Sequence, residues 1–227
     1  ELHVVPINDT SDAVLDGEVA VVNPVKGSVE FEDIQRRSLM KRTSIIEQAA
    51  VQMPVHFFAF DILRYKGQDM RSKPLLERKQ VLEGILSNNA YFSRVLAVEG
   101  AGEDLFRVIK AKQLEGIVAK RKESRYVGRR DRNWLKIINY QYVNVNIIGY
   151  LKESFGWLLQ EEDGTISLLD LAVPAKARQK FYSDAKKLRA GESASAVFIE
   201  PLIARVRFRS RWRSGKLRLP EFVCFIS

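Results

Sequence analysis

Glu115-Gly116-Ile117-Val118-Ala119-Lys120 is a short apolar run that begins with a carboxylate and a glycine and ends with a lysine. Another lysine follows in Trp134-Leu135-Lys136, and upstream the acidic segment Leu15-Asp16-Gly17-Glu18 leads into a second apolar run. We expect turns at the two glycines and strands beside them. Carboxylates hold divalent cations and lysines neutralise phosphate oxygens, so this pattern suits a metal-assisted reaction on phosphates.

The composition describes a globular chain with an excess of positive charge. It has 227 residues, 46% of them hydrophobic, which allows one large domain or two modest ones. No run of about 18 apolar residues occurs, so we expect no membrane span. The single cysteine, Cys224, excludes an internal disulfide, and its apolar surroundings predict a buried thiol. The net charge of +9 favours a polyanionic partner, with nucleic acid ahead of an anionic membrane surface.

The hydrophobic pattern predicts an α+β protein with two domains, residues 1–141 and 142–227. In the first domain we expect strands at 14–22, 54–63 and 116–120, and helices within 31–50, 75–86 and 101–113. In the second we expect a strand from Tyr142, a hairpin at 156–173, a helix at 174–190 that ends at Gly191, and strands at 196–213 and 217–226. Five strands with one late helix are typical of a small OB-type barrel.

Two segments are strongly basic. Strand side chains alternate between faces, so five arginines at every second position would share one face: Arg205, Arg207, Arg209, Arg211 and Arg213. This face favours contact with nucleic-acid phosphates, and the alternative is an exposed edge with acidic partners. The segment from Lys120 to Arg132, which contains Arg129 and Arg130, predicts an exposed loop that either binds nucleic acid or is only solvated.

Five segments, in order along nearly the whole chain, resemble motifs of ATP-dependent DNA ligases, in particular the ligase module of the bacterial end-joining enzyme ligase D. They are Leu15-Asp16-Gly17-Glu18, Phe57 to Leu63, Glu115 to Lys120, Asn133 to Ile137 and Gly215 to Phe222. The resemblance implies a nucleotidyltransferase (adenylation) domain of antiparallel sheets with flanking helices, followed by an OB-fold β-barrel.

The resemblance also implies a reaction and a set of site residues. A lysine takes AMP from ATP, AMP passes to the 5′-phosphate of a nick, and the 3′-hydroxyl displaces it. Phe60 would stack on adenine, Glu18 would lie near the ribose and the metal, Glu115 would hold Mg²⁺ or Mn²⁺, and Lys136 would contact the α-phosphate. Lys120 would either contact phosphate or be solvated. DNA would be bound by Arg129, Arg130, the five alternating arginines from Arg205 to Arg213, and Arg218. Without the motif, Phe60 would be interpreted as a core aromatic. Asp16 is expected to shape the turn at Gly17.

Two features depart from the family pattern. The family's nucleophilic lysine lies in a Lys-x-Asp-Gly element, and no such element occurs in these 227 residues. We therefore expect an N-terminally incomplete ligase that does not adenylate itself. The family usually has a second lysine two positions after the one that corresponds to Lys136. Here that position is Ile138, which predicts the loss of one phosphate contact.

Three functions remain open: a DNA ligase, an RNA ligase or RNA-capping guanylyltransferase, and a non-catalytic nucleic-acid-binding relative. For the first, the expected partners are nicked or broken duplex DNA and, by resemblance alone, a Ku-like end-binding protein. We expect a monomer, no membrane association, and a place in the bacterial cytoplasm at the nucleoid.

Overall fold

The structure, a computed structural model, describes residues 1–8, 12–23, 29 and 31–226. Its elements are β1 (Ala13–Val21), α1 (Phe31–Ser38), α2 (Thr43–Gln52), β2 (Val55–Tyr65), β3 (Gln68–Asp69), α3 (Leu75–Ile85), β4 (Phe92–Arg94), α4 (Gly102–Ala111), β5 (Gly116–Lys120), β6 (Trp134–Ile138), β7 (Gln141–Leu151), β8 (Trp157–Gln160), β9 (Ile166–Leu169), α5 (Ala175–Lys187), β10 (Arg189–Glu192), β11 (Ala196–Phe208), β12 (Ser210–Arg211), β13 (Leu217–Arg218) and β14 (Glu221–Phe225). Among the helices of these ranges, none combines the length and apolar character that a membrane crossing needs.

The chain folds into two compact units. The first unit comprises Glu1–Leu105 and Val118–Lys136, and the second comprises Phe106–Ile117 and Ile137–Ser227. The division into domains 1–141 and 142–227 stays a prediction.

The first unit is built on a sheet with the strand order β1-β2-β3, and β4 pairs in parallel with β2. Strand β2 is long because its β-branched and aromatic residues favour extended backbone. One of its faces packs against α3, and the core of this contact contains Ala59, Ile62, Leu82, Ile85 and Leu86. The strand expected at 14–22 and the helix expected at 75–86 are therefore present as β1 and α3.

The segment Leu15-Asp16-Gly17-Glu18 is not a turn, because it lies inside β1 and pairs with β2 throughout. Gly17 is required for a different reason than the expected one. A Cβ at this position would collide with the ring of Phe57 and would lie 2.7 Å from the carbonyl oxygen of Phe58. The glycine therefore allows the two strands to approach closely.

The second unit contains an antiparallel sheet with the strand order β10-β11-β7-β8-β9, and β14 pairs with the other part of β11. Its core is centred on Trp157 and Phe181, whose ring centroids lie 4.2 Å apart. Within the residues that the structure describes, this sheet is open and does not close into the expected barrel. Helix α5 ends at Lys187, and Gly191 lies in β10, so the prediction that Gly191 ends the helix is wrong.

Cys224 lies in β14 opposite Arg205, and its side chain is exposed. The prediction of a buried thiol is therefore wrong. The apolar run around it marks a strand with one exposed face, which local hydrophobicity alone does not distinguish from a buried strand.

Candidate functional site

Phe60 occupies an irregular position in β2. Asp16 pairs with Asp61 and Gly17 pairs with Ala59, so the register between β1 and β2 skips Phe60. A β-bulge of this kind re-aims the side chain of the extra residue. The half-buried ring of Phe60 meets that of Trp134 edge to face, with 6.1 Å between the centroids. The bulge thus creates a two-ring aromatic surface in the first unit.

Lys120 lies on this aromatic surface. Arg121 N donates to Asn133 O at 2.9 Å, which places Lys120 directly opposite Trp134 in the β5–β6 pair. Its Nζ lies 3.5 Å from the ring centroid of Trp134 and 4.3 Å from that of Phe60. This Nζ is buried and has no hydrogen-bond partner among the described residues. The family motifs identified Lys120 and Phe60 as separate site residues. The structure shows that they contact each other and Trp134.

Burial governs the charge of Lys120. Desolvation lowers the pKa of its amine from 10.5 to about 8. The carboxylates of Asp61 and Asp16 oppose this change, whereas the cations of Lys79 and Arg78 add to it. Lys79 belongs to α3, and burial lowers the pKa of its amine as well. The amines of Lys120 and Lys79 thus both have lowered pKa values, and the charge of Lys79 contributes to the lowering at Lys120. The sequence did not predict this interaction.

A fully buried ion pair supports the strand that carries Phe60. Arg78 of α3 donates to the two carboxylate oxygens of Asp61 through Nε at 2.7 Å and Nη2 at 2.8 Å, and both side chains are 0% exposed. Its Nη1 also donates to the carbonyl oxygens of Lys73 at 2.6 Å and Ser124 at 3.0 Å. One guanidinium therefore joins the helix, the strand and the basic loop. The sequence did not predict this pair, because Asp61 and Arg78 are 17 positions apart and no local pattern links them.

The basic segment after Lys120 is held against the first unit. Leu75 N donates to Ser124 O and Leu76 N donates to Lys122 O, so the loop caps the first turn of α3. The hydroxyl of Tyr126 donates to Asp16 Oδ2 at 2.8 Å. The loop is thus fixed at several points, while Arg129 and Arg130 remain exposed on it. Asp16 is held by this contact with Tyr126, and it does not shape a turn.

Two open cavities of about 370 Å³ and 520 Å³ lie along this loop and share Arg125 and Val127. Neither is lined by Phe60, Lys120 or Trp134. On the aromatic surface itself, the side chain of Lys120 lies over the two rings.

The other predicted residues of the first unit are accessible. Glu18 pairs with Phe58 across β1 and β2, its side chain is exposed, and it makes no hydrogen bond or ion pair with the described residues. Lys136 is exposed in β6. Their roles in nucleotide binding stay predictions.

Glu115 belongs to the second unit and faces two arginines. Its Oε1 lies 3.6 Å from Nη1 of Arg209, and its Oε2 lies 3.5 Å from Nη1 of Arg218. In the described ranges, no group of three or more His, Cys, Asp or Glu side chains is placed to hold a metal ion. The described residues do not form a metal site by themselves, and the binding of Mg²⁺ or Mn²⁺ stays a prediction.

The glycine after Glu115 is required by close backbone approach. Gly116 has φ +153°, and a Cβ there would collide with the carbonyl oxygen of Ile137 and lie 3.0 Å from Cα of Ile138. Asn139 N donates to Glu115 O at 2.8 Å, which fixes the position of the Glu115 backbone at the start of β5. The glycine of this motif therefore brings β5 and β6 together.

The row of arginines is less uniform than the alternation predicted. Strand β11 ends at Phe208, so only Arg205 and Arg207 alternate on it with buried neighbours. Three arginines have carboxylate partners: Arg207 pairs with Glu221 at 2.6 Å, Arg211 with Glu161 at 2.6 Å, and Arg209 with Glu115. Arg205 lies over the ring of Tyr142, and Arg213 is exposed. The acidic partners favour the alternative reading for Arg207, Arg209 and Arg211, and DNA binding by the row stays a prediction.

The family model for the ATP dependent DNA ligase domain matches residues 2–137. The chain is 37% identical over 210 residues to the SPbeta prophage-derived DNA ligase-like protein LigB of Bacillus subtilis, which covers 92% of this chain and 74% of that protein. It is 31% identical over 148 residues to the bifunctional non-homologous end joining protein LigD of the same organism, covering 60% of this chain and 24% of LigD.

Among solved structures, one from a structure-function analysis of Lig E DNA ligases superposes with a TM-score of 0.62 at 15% identity, covering 99% of this chain and 94% of that one. At this identity the likeness concerns the fold alone. Together with the family match, it confirms the predicted α+β fold class.

Proposed function

Because the chain belongs to the ATP-dependent DNA ligase family, we propose that it binds ATP and seals nicks between a 5′-phosphate and a 3′-hydroxyl in duplex DNA. The observation that carries this proposal is the family match over residues 2–137, within which the aromatic pair of Phe60 and Trp134 lies beside Lys120. Aromatic faces bind nucleobases by stacking, and lysines bind phosphates.

The proposed role of each residue follows from the chemistry of its side chain. Phe60 would hold adenine, and Lys120 and Lys136 would neutralise the phosphates. Glu18 would accept hydrogen bonds from the ribose, because its exposed carboxylate has no competing partner within the described part of the chain. Exposed arginines such as Arg129, Arg130 and Arg205 would contact the DNA backbone without reading its sequence. The open sheet of the second unit would serve as the OB-type DNA-binding part.

The final step of sealing needs no nucleophilic lysine. When AMP is already joined to the 5′-phosphate, the 3′-hydroxyl oxygen attacks that phosphorus. A new P–O bond forms, the anhydride P–O bond to AMP breaks, AMP leaves, and the hydroxyl proton passes to solvent. Positioning and charge neutralisation supply most of the rate enhancement for such a transfer. The absence of a Lys-x-Asp-Gly element from these 227 residues therefore does not exclude this step.

The test uses a duplex whose nick carries a 5′-adenylate. We expect the chain to seal this nick without ATP and to release one AMP per phosphodiester formed. Lys136→Ala should slow sealing, whereas Lys41→Ala, which removes an exposed lysine in the loop before α2, should not. Binding of the nick without sealing would favour the non-catalytic relative, and preferential sealing of adenylated RNA would favour an RNA ligase.

Self-adenylation gives a separate outcome. With ATP labelled at the α-phosphate, we expect no AMP bound to a lysine of this polypeptide. A labelled lysine adduct would overturn that part of the proposal.

The biological setting is proposed from LigD, whose name describes non-homologous end joining. We propose a role in DNA repair by end joining at the bacterial nucleoid, as a monomer, with a Ku-like partner at DNA ends. Pull-down of the chain on blunt DNA ends, with and without a Ku-type protein, would test the partner directly.

A further inference from the structure

Lys120 occupies the aromatic surface on which a nucleobase would stack. Its Nζ lies 3.5 Å from the ring centroid of Trp134 and 4.3 Å from that of Phe60, so the amine contacts both rings. A base cannot stack on the face of the Phe60 ring that the amine covers while the amine remains there. Stacking on this face therefore requires the lysine side chain to move.

The amine is poorly satisfied in this position. An ammonium carries three N–H donors, and this Nζ is buried without an acceptor among the described residues. The two rings offset part of the cost through cation–π attraction. Lys79 and Arg78 repel the ammonium while Asp61 and Asp16 attract it, and burial lowers its pKa to about 8. An arrangement that supplies the ammonium with a strong acceptor would therefore compete with the aromatic contact.

We propose that Lys120 makes the site select a nucleotide over a nucleoside, because its ammonium must leave the aromatic pair for the phosphates before the base can stack. Adenosine displaces the lysine and offers the ammonium no anionic acceptor. ATP displaces it and supplies phosphate oxygens in exchange. The inference rests on the proposed function, since it takes the aromatic pair to be the base site, and it adds a specificity-determining role for Lys120.

The first test is calorimetric titration of the chain with ATP and with adenosine. Lys120→Ala should bind adenosine about 2- to 30-fold more tightly than the wild-type chain, the range of a desolvated cation–π contact. The same variant should bind ATP about 10-fold or more weakly, because a charge-assisted hydrogen bond is lost. Opposite changes for the two ligands are not expected from a general loss of structure.

Two further variants control this result. Lys120→Met keeps the length of the side chain without the charge, so it should weaken ATP binding as Lys120→Ala does. Because it also lacks the cation–π contact, it should bind adenosine at least as tightly as the wild-type chain. Lys122→Ala removes an exposed lysine two positions later, which pairs with Glu99 outside the aromatic pair, and should change neither affinity.

A spectroscopic measurement follows the movement itself. With ¹³C-labelled lysine, the ε-methylene of Lys120 should show an upfield ring-current shift, and ATP should return it toward the ordinary lysine position. If the resonance stays shifted at saturating ATP, or if Lys120→Ala weakens ATP and adenosine binding alike, the inference is overturned while the proposed function stands. If the wild-type chain does not bind ATP, both are overturned.

Discussion

The buried pair of Arg78 and Asp61 allows a quantitative prediction about the first unit. Replacing Arg78 by Met would remove two hydrogen bonds to Asp61, of 2.7 and 2.8 Å, and leave a carboxylate with 0% exposure unpaired. It would also remove the donor to the carbonyl oxygens of Lys73 and Ser124. Breaking one side of a fully buried ion pair destabilises a protein by about 3–5 kcal/mol. We expect a loss of that size in the free energy of unfolding.

The chain offers a matched control in Arg71, which pairs with Asp69 at 2.7 Å on the surface. The side chains of Arg71 and Asp69 are 60% and 56% exposed, so water replaces the lost contact. Arg71→Met should therefore lower the free energy of unfolding much less than Arg78→Met does. The double variant Arg78→Met with Asp61→Leu should be more stable than Arg78→Met alone, because no buried charge is left behind.

The assay is urea unfolding read by pulsed hydrogen–deuterium exchange. Peptides from β2 report on the first unit, and peptides from β7 report on the second as an internal reference. If Arg78→Met lowers the midpoint of β2 no more than Arg71→Met does, the reasoning from burial is refuted.

Three further predictions concern single positions. Gly17→Ala should destabilise the first unit by about 1–3 kcal/mol, because the new Cβ would overlap the ring of Phe57. A Cβ at Gly84 in α3 would meet no atom within 4 Å, so Gly84→Ala should stabilise the helix slightly. Thermal unfolding of the two variants tests both expectations. The pKa of Lys120 is about 8 in the folded chain, against an ordinary value of 10.5, so between these pH values the unfolded chain binds more protons than the folded chain. The free energy of unfolding, relative to that of Lys120→Met, should therefore rise with pH across this interval. A difference that stays constant with pH in urea titrations would contradict this prediction. Cys224 should react fully with a thiol reagent in the native protein, and reaction only after denaturation would contradict its exposure.

The sequence predicted the elements whose pattern is local. The β-rich run of β1, the aromatic strand β2 and the helix α3 follow from periodicity and from turn residues beside them. The end of α5 was misplaced because Gly191 is a favourable helix terminator by itself, and its place in β10 depends on pairing with β11. Pairing between distant strands has no local signature.

The candidate site divides in the same way. Phe60 and Lys120 were identified through motifs, but their contact depends on the bulge in β2 and on the pairing of β5 with β6. The link from Tyr126 to Asp16 spans 110 positions, and sequence spacing gives no indication of it. The alternation of arginines predicted one uniform face, and the carboxylates that pair with three of them come from remote segments.

The most direct measurement of the central claim is the dissociation constant of ATP for the wild-type chain and for Phe60→Ala. Loss of base stacking worth about 1–3 kcal/mol predicts a Kd higher by about 5- to 150-fold. The matched control is Phe106→Ala, which removes another half-buried ring beside a lysine, Lys110, in α4 and should leave the constant unchanged. Equal ATP affinity in the wild-type chain and Phe60→Ala would contradict the assignment of this aromatic pair as the nucleotide site.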